Sequence, residues 1–409
     1  MQFLVIFCNE RNLCCNSLGY IATDAIGVAM RAERFGEFKA GQLLPITIDD
    51  RRSDFAFLPD DLPPAWEPDT TLWPLIAEAR ARLESLNGVG KYLPNPSLLL
   101  RTLQRREAIT SNSIEGTYVN PQELLLYEAE KKSSDPKSEK ENDQREVWLY
   151  DSAMTEGCER IAEGKEIDRA MICDLHHLLL NTTRGKDKSP GVFRDCQVYV
   201  STRFIPPPAD RLDELFSNLE QYLSSTHGDP LVRAFIAHYQ FETIHPFLDG
   251  NGRMGRLLLS LGVYKWLNHN HAWLYLSAFF DKHKQEYYSK LFAVSARGEW
   301  DDWVRFCLMG TIEQAEAAER RCTQLVALKT KYETEFSKLT PRMVEVTSIL
   351  LSSPFTRRTW LARGLGVSYG TAKSYVLKLC AAGVLSELYI DGNEQVYCAD
   401  EIYRIAYGD

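Results

Sequence analysis

The sequence predicts a mainly α protein: a helical bundle with one short β-hairpin flap, followed by a small carboxy-terminal domain of mixed helices and strands. Three observations carry this. Apolar residues recur at helical spacing through most of the chain. One stretch, Gln197 to Pro208, alternates like a strand instead and ends in three prolines. After Leu339 the pattern shortens to three helices and two candidate strands separated by Asp391, Gly392 and Asn393, which suit a hairpin turn.

At 409 residues the chain exceeds the roughly 250 to 300 residues at which a single core stops growing, so more than one domain is expected. Its 44% hydrophobic, 25% charged and 11% aromatic residues, with a mean hydropathy of -0.29, describe an ordinary globular protein. A net charge of -9 and a pI near 5.5 exclude a chain that coats nucleic acid by bulk charge and confine any DNA contact to one module. No run reaches the roughly 18 apolar residues that span a bilayer, and MQFLVIF is too short and lacks a basic flank, so a cytoplasmic protein without a membrane partner is expected. The ten cysteines are scattered. Cys8, Cys14 and Cys15 lack the spacing and nearby histidines of a zinc site, and a start at Met30 would remove them.

Residues 1–70 read as a partly irregular amino-terminal extension, because the prolines of FLPDDLPPAWEP forbid helix interiors. From 71 to 130 a helical region follows, opened by Leu72, Ile76, Ala79, Leu83 and Leu86 on one stripe. The charged stretch 131–146 has almost nothing apolar to bury and reads as a loop whose end could start the next helix. The core, 147–335, holds helices from Val147 to Glu163, Asp168 to Leu180, Ala209 to Ser224, and Pro230 to Ile244, the last with proline at N1 after Asp229. Residues 340–409 form the small terminal domain.

The segment that carries chemistry is HPFLDGNGRMGR, His245 to Arg256. Pro246 ends the preceding helix, Gly250, Asn251 and Gly252 make a turn, and Met254, Leu257, Leu258 and Leu261 begin a new helix. A helix amino terminus opened by glycines binds anions through free amides and the helix dipole. Arg253 and Arg256 add guanidinium forks suited to phosphate. Asp249 is a hard oxygen ligand for magnesium, or manganese in its place, shared with substrate phosphates. His245 can take a proton from an attacking hydroxyl. Each residue alone also fits an ordinary loop, cap or solvated face; together they describe one phosphate-transfer geometry.

This segment resembles the signature HxFx(D/E)GNGRxxR of the Fic family, met by His245, Phe247, Asp249, Gly250, Asn251, Gly252, Arg253 and Arg256, with Met254 and Gly255 between. The resemblance runs from Leu98 to Trp303. It implies a Fic-type bundle that transfers AMP from ATP to a hydroxyl (Tyr, Thr or Ser) of a target protein, with His245 as base, Asp249 on the metal and Gly250 to Arg256 around the phosphates. It further implies that Val198, Tyr199, Val200 and Ser201 of the flap lie over the nucleotide, that a target segment pairs along 197–208, and that Tyr275 and His283 contact the nucleotide. The family often has asparagine where His283 stands.

SNSIEG, Ser111 to Gly116, resembles the family's inhibitory motif (S/T)xxxE(G/N). Ser111 and Glu115 are four apart on one helix face, with Gly116 as a stop. By that likeness Glu115 pairs with Arg256 and withholds it from ATP, and in some relatives this glutamate also supports AMP removal. Residues 340–409 resemble a winged helix-turn-helix, whose recognition helix Gly370 to Cys380 would expose Thr371, Lys373, Ser374 and Lys378 and bury Ala372, Val376 and Leu379. Two functions follow: an autoinhibited protein adenylyltransferase, or a nucleotide-sensing DNA-binding regulator with a weakly active core. Self-modification and a homodimer are compatible with both.

Overall fold

The computed structural model describes residues 30–408 apart from 31, 38, 50–51, 93–96, 131–135, 137, 182–183, 201–203, 227, 338–340 and 392–393. The alternative start and the group Cys8, Cys14 and Cys15 therefore lie outside the described residues, except for Met30 itself, whose amide donates to the Asp54 carboxylate at 3.0 Å.

An antiparallel hairpin opens the described chain, β1 (Gly41–Asp49) against β2 (Arg52–Pro59), with Gly41 opposite Pro59. The proline-rich stretch after it, residues 60–69, carries neither helix nor strand, while the hairpin itself was not expected. Pro45 inside β1 and three successive buried residues in β2, Ala56, Phe57 and Leu58, break the alternation that would have revealed the pair.

Helix α1 (Trp73–Tyr92) carries the anticipated stripe, with Leu72, Ile76, Ala79, Leu83 and Leu86 all buried and each large side chain contributing about 1.5–3 kcal/mol. It packs along α11 (Trp300–Phe336), the 37-residue spine of the molecule. Between them in sequence come α2 (Ser97–Ile114), α3 (Pro121–Glu130), α4 (Glu139–Ala162), α5 (Arg169–Leu179), α6 (Leu212–Ser224), α7 (Pro230–Ile244), α8 (Asn251–Trp266), α9 (Ser277–Lys282) and α10 (Lys284–Arg297).

The charged stretch 131–146 is helical from residue 139 onward, and most of what precedes lies outside the described residues. Ser138 caps α4 by accepting from Glu141 N at 3.2 Å, and Glu139 and Glu141 suit the positive end of the dipole, so residues 139–146 are its first two turns. Glu146 is buried there because Arg184 donates to it at 2.8 Å.

The hub is α7, buried on nearly every side, as a helix apolar all round must be. Asp229 accepts from Leu231 N and Val232 N ahead of Pro230. At the other end His245 turns left-handed (φ 51°), so the chain leaves α7 sharply and re-enters as α8, packed against it.

The last stretch comprises α12 (Pro341–Ser352), β3 (Phe355–Thr356), α13 (Arg358–Leu365), α14 (Tyr369–Ala381), β4 (Ser386–Asp391), β5 (Glu394–Cys398) and α15 (Asp400–Tyr407), with an antiparallel sheet ordered β3-β5-β4. Ala372, Val376 and Leu379 are buried while Lys373, Ser374 and Lys378 are exposed. β3 is two residues long and too short to read from pattern. This unit does not stand apart: α12 and α15 rest on α2. No helix among the described residues is long and apolar enough to cross a membrane.

Candidate active site

The loop between α7 and α8 is held by buried side chains that bond to backbone. Asn251 closes it, accepting from Phe247 N at 2.9 Å and donating to Phe247 O at 2.8 Å. His176 on α5 stacks on the Phe247 ring at 3.6 Å and contacts Asp249 O at 2.9 Å, while its Nδ1 accepts from Gly191 N at 2.9 Å. That pairing makes Nε2 the donor of a neutral ring, and burial holds its pKa down at about 4. Arg194 donates Nε to His245 O (2.8 Å), Nη1 to Cys196 O (2.9 Å) and Nη2 to Pro207 O (2.6 Å), tying the loop to both legs of the flap.

Inside this frame His245 is 8% exposed, with Nδ1 3.2 Å from Glu242 O. A proton on Nδ1 satisfies that carbonyl and leaves Nε2 as the basic nitrogen. Burial, then the positive charge of Arg194, depress its pKa to about 4, so the ring is neutral at physiological pH and ready to accept a proton.

Gly250 (φ 76°) starts α8, and the first helical bond runs from Met254 N to Gly250 O at 2.9 Å. The amides of Asn251, Gly252 and Arg253 precede it, which is the arrangement that attracts anions. Arg253 lies between Glu146 (3.6 Å) and Asp249 (3.5 Å), and its buried Nε has no hydrogen-bond partner. The Asp249 carboxylate accepts from Gly250 N at 2.6 Å and is 43% exposed. One hard oxygen donor at the mouth of an anion site fits a magnesium that shares substrate phosphates, and among the described residues no cluster of three ligand side chains builds an all-protein cage.

Arg256 is 2% exposed and engaged by the end of α2. Nε donates to Ser111 Oγ at 2.9 Å, and Nη2 donates to Ser111 O at 2.9 Å and to Glu115 Oε1 at 2.7 Å. Burial works against its charge, but the Glu115 carboxylate outweighs that and the pKa is raised. Gly116 (φ 94°) ends the turn after Glu115. Two glycines of α8 make room for carboxylates on either side of Arg256: a Cβ at Gly252 would overlap Glu115, and one at Gly255 would overlap Glu242.

The two legs of the flap are joined by Val200 N donating to Phe204 O at 3.0 Å and Gln197 Nε2 donating to Pro206 O at 2.9 Å; Ser201 lies outside the described residues. Val198 is buried, and Tyr199 packs with Phe204 against Met30, Ala56, Phe57 and Ile205. Tyr275 and His283 are not brought to the loop. Tyr275 is enclosed near Cys158 and Glu107, and His283, its side chain 35% exposed, packs on Phe279 and Phe306. The aromatic neighbours of Arg256 are instead Tyr287 and Tyr288 of α10, whose hydroxyls feel Arg256, Glu242 and Glu115. Glu242, His176 and Arg194 were also missed; only Glu242, three before His245, had any local signal.

A helical hub that reverses into a glycine-opened helix amino terminus, with a neutral base, a carboxylate and two arginines, defines a phosphate-handling loop on an α scaffold. Residues 73–159 match the Fic/DOC family N-terminal model and 166–261 the Fic/DOC family model. It is 35% identical over 122 residues (29% of the chain) to a relative from Drosophila ananassae named protein adenylyltransferase Fic, of which the match covers 24%. With the Drosophila melanogaster protein of that name it shares 45% identity over 73 residues, 17% of the chain and 15% of the relative. The chain thus spans about a quarter or less of the length of these relatives. A solved Fic family protein from Desulfovibrio desulfuricans matches the fold with a TM-score of 0.51 and 21% identity, over 82% of this chain and 98% of that one.

Proposed function

We propose that this chain is a protein adenylyltransferase that moves AMP from ATP to a hydroxyl of a target protein and is held in check by Glu115. The single observation that carries the reading is a neutral His245 beside an anion-binding helix terminus whose arginine, Arg256, is occupied by Glu115 at 2.7 Å. In the transfer, His245 Nε2 takes the hydroxyl proton, the oxygen bonds to the α-phosphorus, and the bond from that phosphorus to the bridging oxygen breaks, releasing pyrophosphate. Amides of 251–253 and Arg253 hold phosphate oxygens. Asp249 would hold magnesium, which neutralises phosphate charge when bound. With Glu115 on Arg256, the guanidinium is withheld from the outer phosphates.

A target docks beside the flap. Phe57 N already donates to Ile205 O at 2.9 Å, so β2 occupies the second leg and residues 198–200 are the leg left for an incoming strand. The exposed Lys373, Ser374 and Lys378 on α14 favour a second, independent reading of residues 340–409 as a winged helix-turn-helix that contacts DNA, to be checked by salt-sensitive duplex binding.

The test is AMP transfer from α-labelled ATP with magnesium, comparing the unaltered chain, Glu115→Gly, and Glu115→Gly with His245→Ala. Label should appear on releasing Glu115 and vanish with His245. Bound ATP with no label in any variant would overturn the reading in favour of a nucleotide-sensing regulator.

A further inference from the structure

The helix that ends in Glu115 is held from behind by the carboxy-terminal unit. On one face of α2, Ser111 and Glu115 reach Arg256. On the other, Arg105 is buried and bridges three elements. Its Nε donates to Glu128 Oε1 on α3 at 3.1 Å, and its Nη1 donates at 3.2 Å to Ser352 O, the last residue of α12. A cation at a helix carboxy terminus is favoured by the dipole, and a buried charge left without these partners is costly.

The contact is extended on both sides. Arg106 on α2 and Arg321 on α11 both reach Gly408 O, just beyond α15, at 3.4 and 3.5 Å. Beside them Leu125 of α3 packs in one apolar cluster with Phe355, Cys398, Ala406 and Tyr407. Helix α2 is therefore clamped between the catalytic loop and the terminal unit. Arg105 lies ten residues, about 15 Å along a helix, from Glu115. A packed helix passes a tilt at one end to the other as a rigid element.

We propose that Arg105 is a positioning residue for the inhibitory glutamate: by pinning α2 to α12 and α3, it makes the grip of Glu115 on Arg256 depend on the docking of the carboxy-terminal unit. This rests on the adenylyltransferase reading above. It gives residues 340–409 a role in catalytic control whatever they bind, because a ligand that shifts α12 or α15 moves the joint.

The test uses the full chain with two variants, Arg105→Gln on α2 and Ala406→Glu, which pries α15 from Leu125 without touching α2. Each should raise AMP transfer about fivefold or more, the lower end of coupling between distant sites. Neither should raise it further in a Glu115→Gly background. Both should speed amide exchange in residues 100–114. Folded variants that leave transfer and exchange unchanged, or that raise transfer equally with and without Glu115, would overturn the proposal. If Glu115→Gly itself transfers nothing, the adenylyltransferase reading has failed, and exchange in 100–114 alone decides whether the joint holds α2: faster exchange keeps it, unchanged exchange removes it.

Discussion

The loop that joins α7 to α8 and the flap tied to it are both short, proline-bearing connections, yet they are held in opposite ways. The loop 245–250 is pinned by Asn251, His176 and Arg194, buried side chains that satisfy its backbone from three directions. Among its described residues the flap has one backbone bridge, is tied by Gln197 Nε2 to Pro206 O at 2.9 Å and by Arg194, and otherwise leans on β2 and the Met30 cluster. A base that must meet a phosphorus at bonding distance requires preorganisation. A segment that must accept a partner strand requires an edge left open.

Removing Arg194 should break this contrast most severely, because its side chain bonds to both regions. Arg194→Ala removes the donor to the buried carbonyls of His245 and Pro207, each worth about 1–3 kcal/mol, so a loss of about 3–5 kcal/mol overall is expected with the contact to Cys196 O included. Chemical denaturation measures it. A loss below about 1 kcal/mol would mean that the loop does not depend on this tie.

Acid should act next, and on the rigid side. His238 on α7 ties that helix to α8 and α10 through Gly255 O and the Tyr287 hydroxyl, both 2.9 Å away, and burial lowers its pKa to about 3. Its folded pKa lies below the unfolded value near 6.5, so as pH falls below 6.5 the unfolded state takes up a proton that the folded state refuses, and stability is lost until the folded pKa is reached. Between pH 7 and about pH 5 this amounts to about 2 kcal/mol. His238→Gln should lose correspondingly less over that range in denaturation curves; parallel curves would remove His238 as the cause.

What was legible in the sequence follows the same division. α7 was readable to the residue, because Asp229–Pro230 and His245–Pro246 are local signals that tertiary context did not override. The pairing of Glu115 with Arg256 was inferred from resemblance, since 141 residues separate them and no spacing rule connects them. The hairpin β1–β2 was invisible, its pattern broken by Pro45 in β1 and by the buried run Ala56 to Leu58 in β2. Arg194 and His176 carry no local signal at all, because their work is to bond to the backbone of a distant loop. Tyr287 and Tyr288 of α10, which pass Arg256, were not singled out, because nothing local in the sequence connects them to a residue more than thirty positions earlier.

The smallest change in stability should come from the flap, with a disproportionate change in function. Val200→Pro removes the amide that bonds to Phe204 O and costs about 1 kcal/mol, since a single partly exposed hydrogen bond contributes little. It also removes the internal bond that holds residues 198–200 extended for a target. ATP binding to a Glu115→Gly chain should be unchanged by it, while AMP transfer to a protein substrate should fall about tenfold or more, the loss of roughly one strong contact in the transition state. Equal transfer with and without the proline would place target docking elsewhere, and the open edge would then be a consequence of the loop's rigidity without a role in recognition.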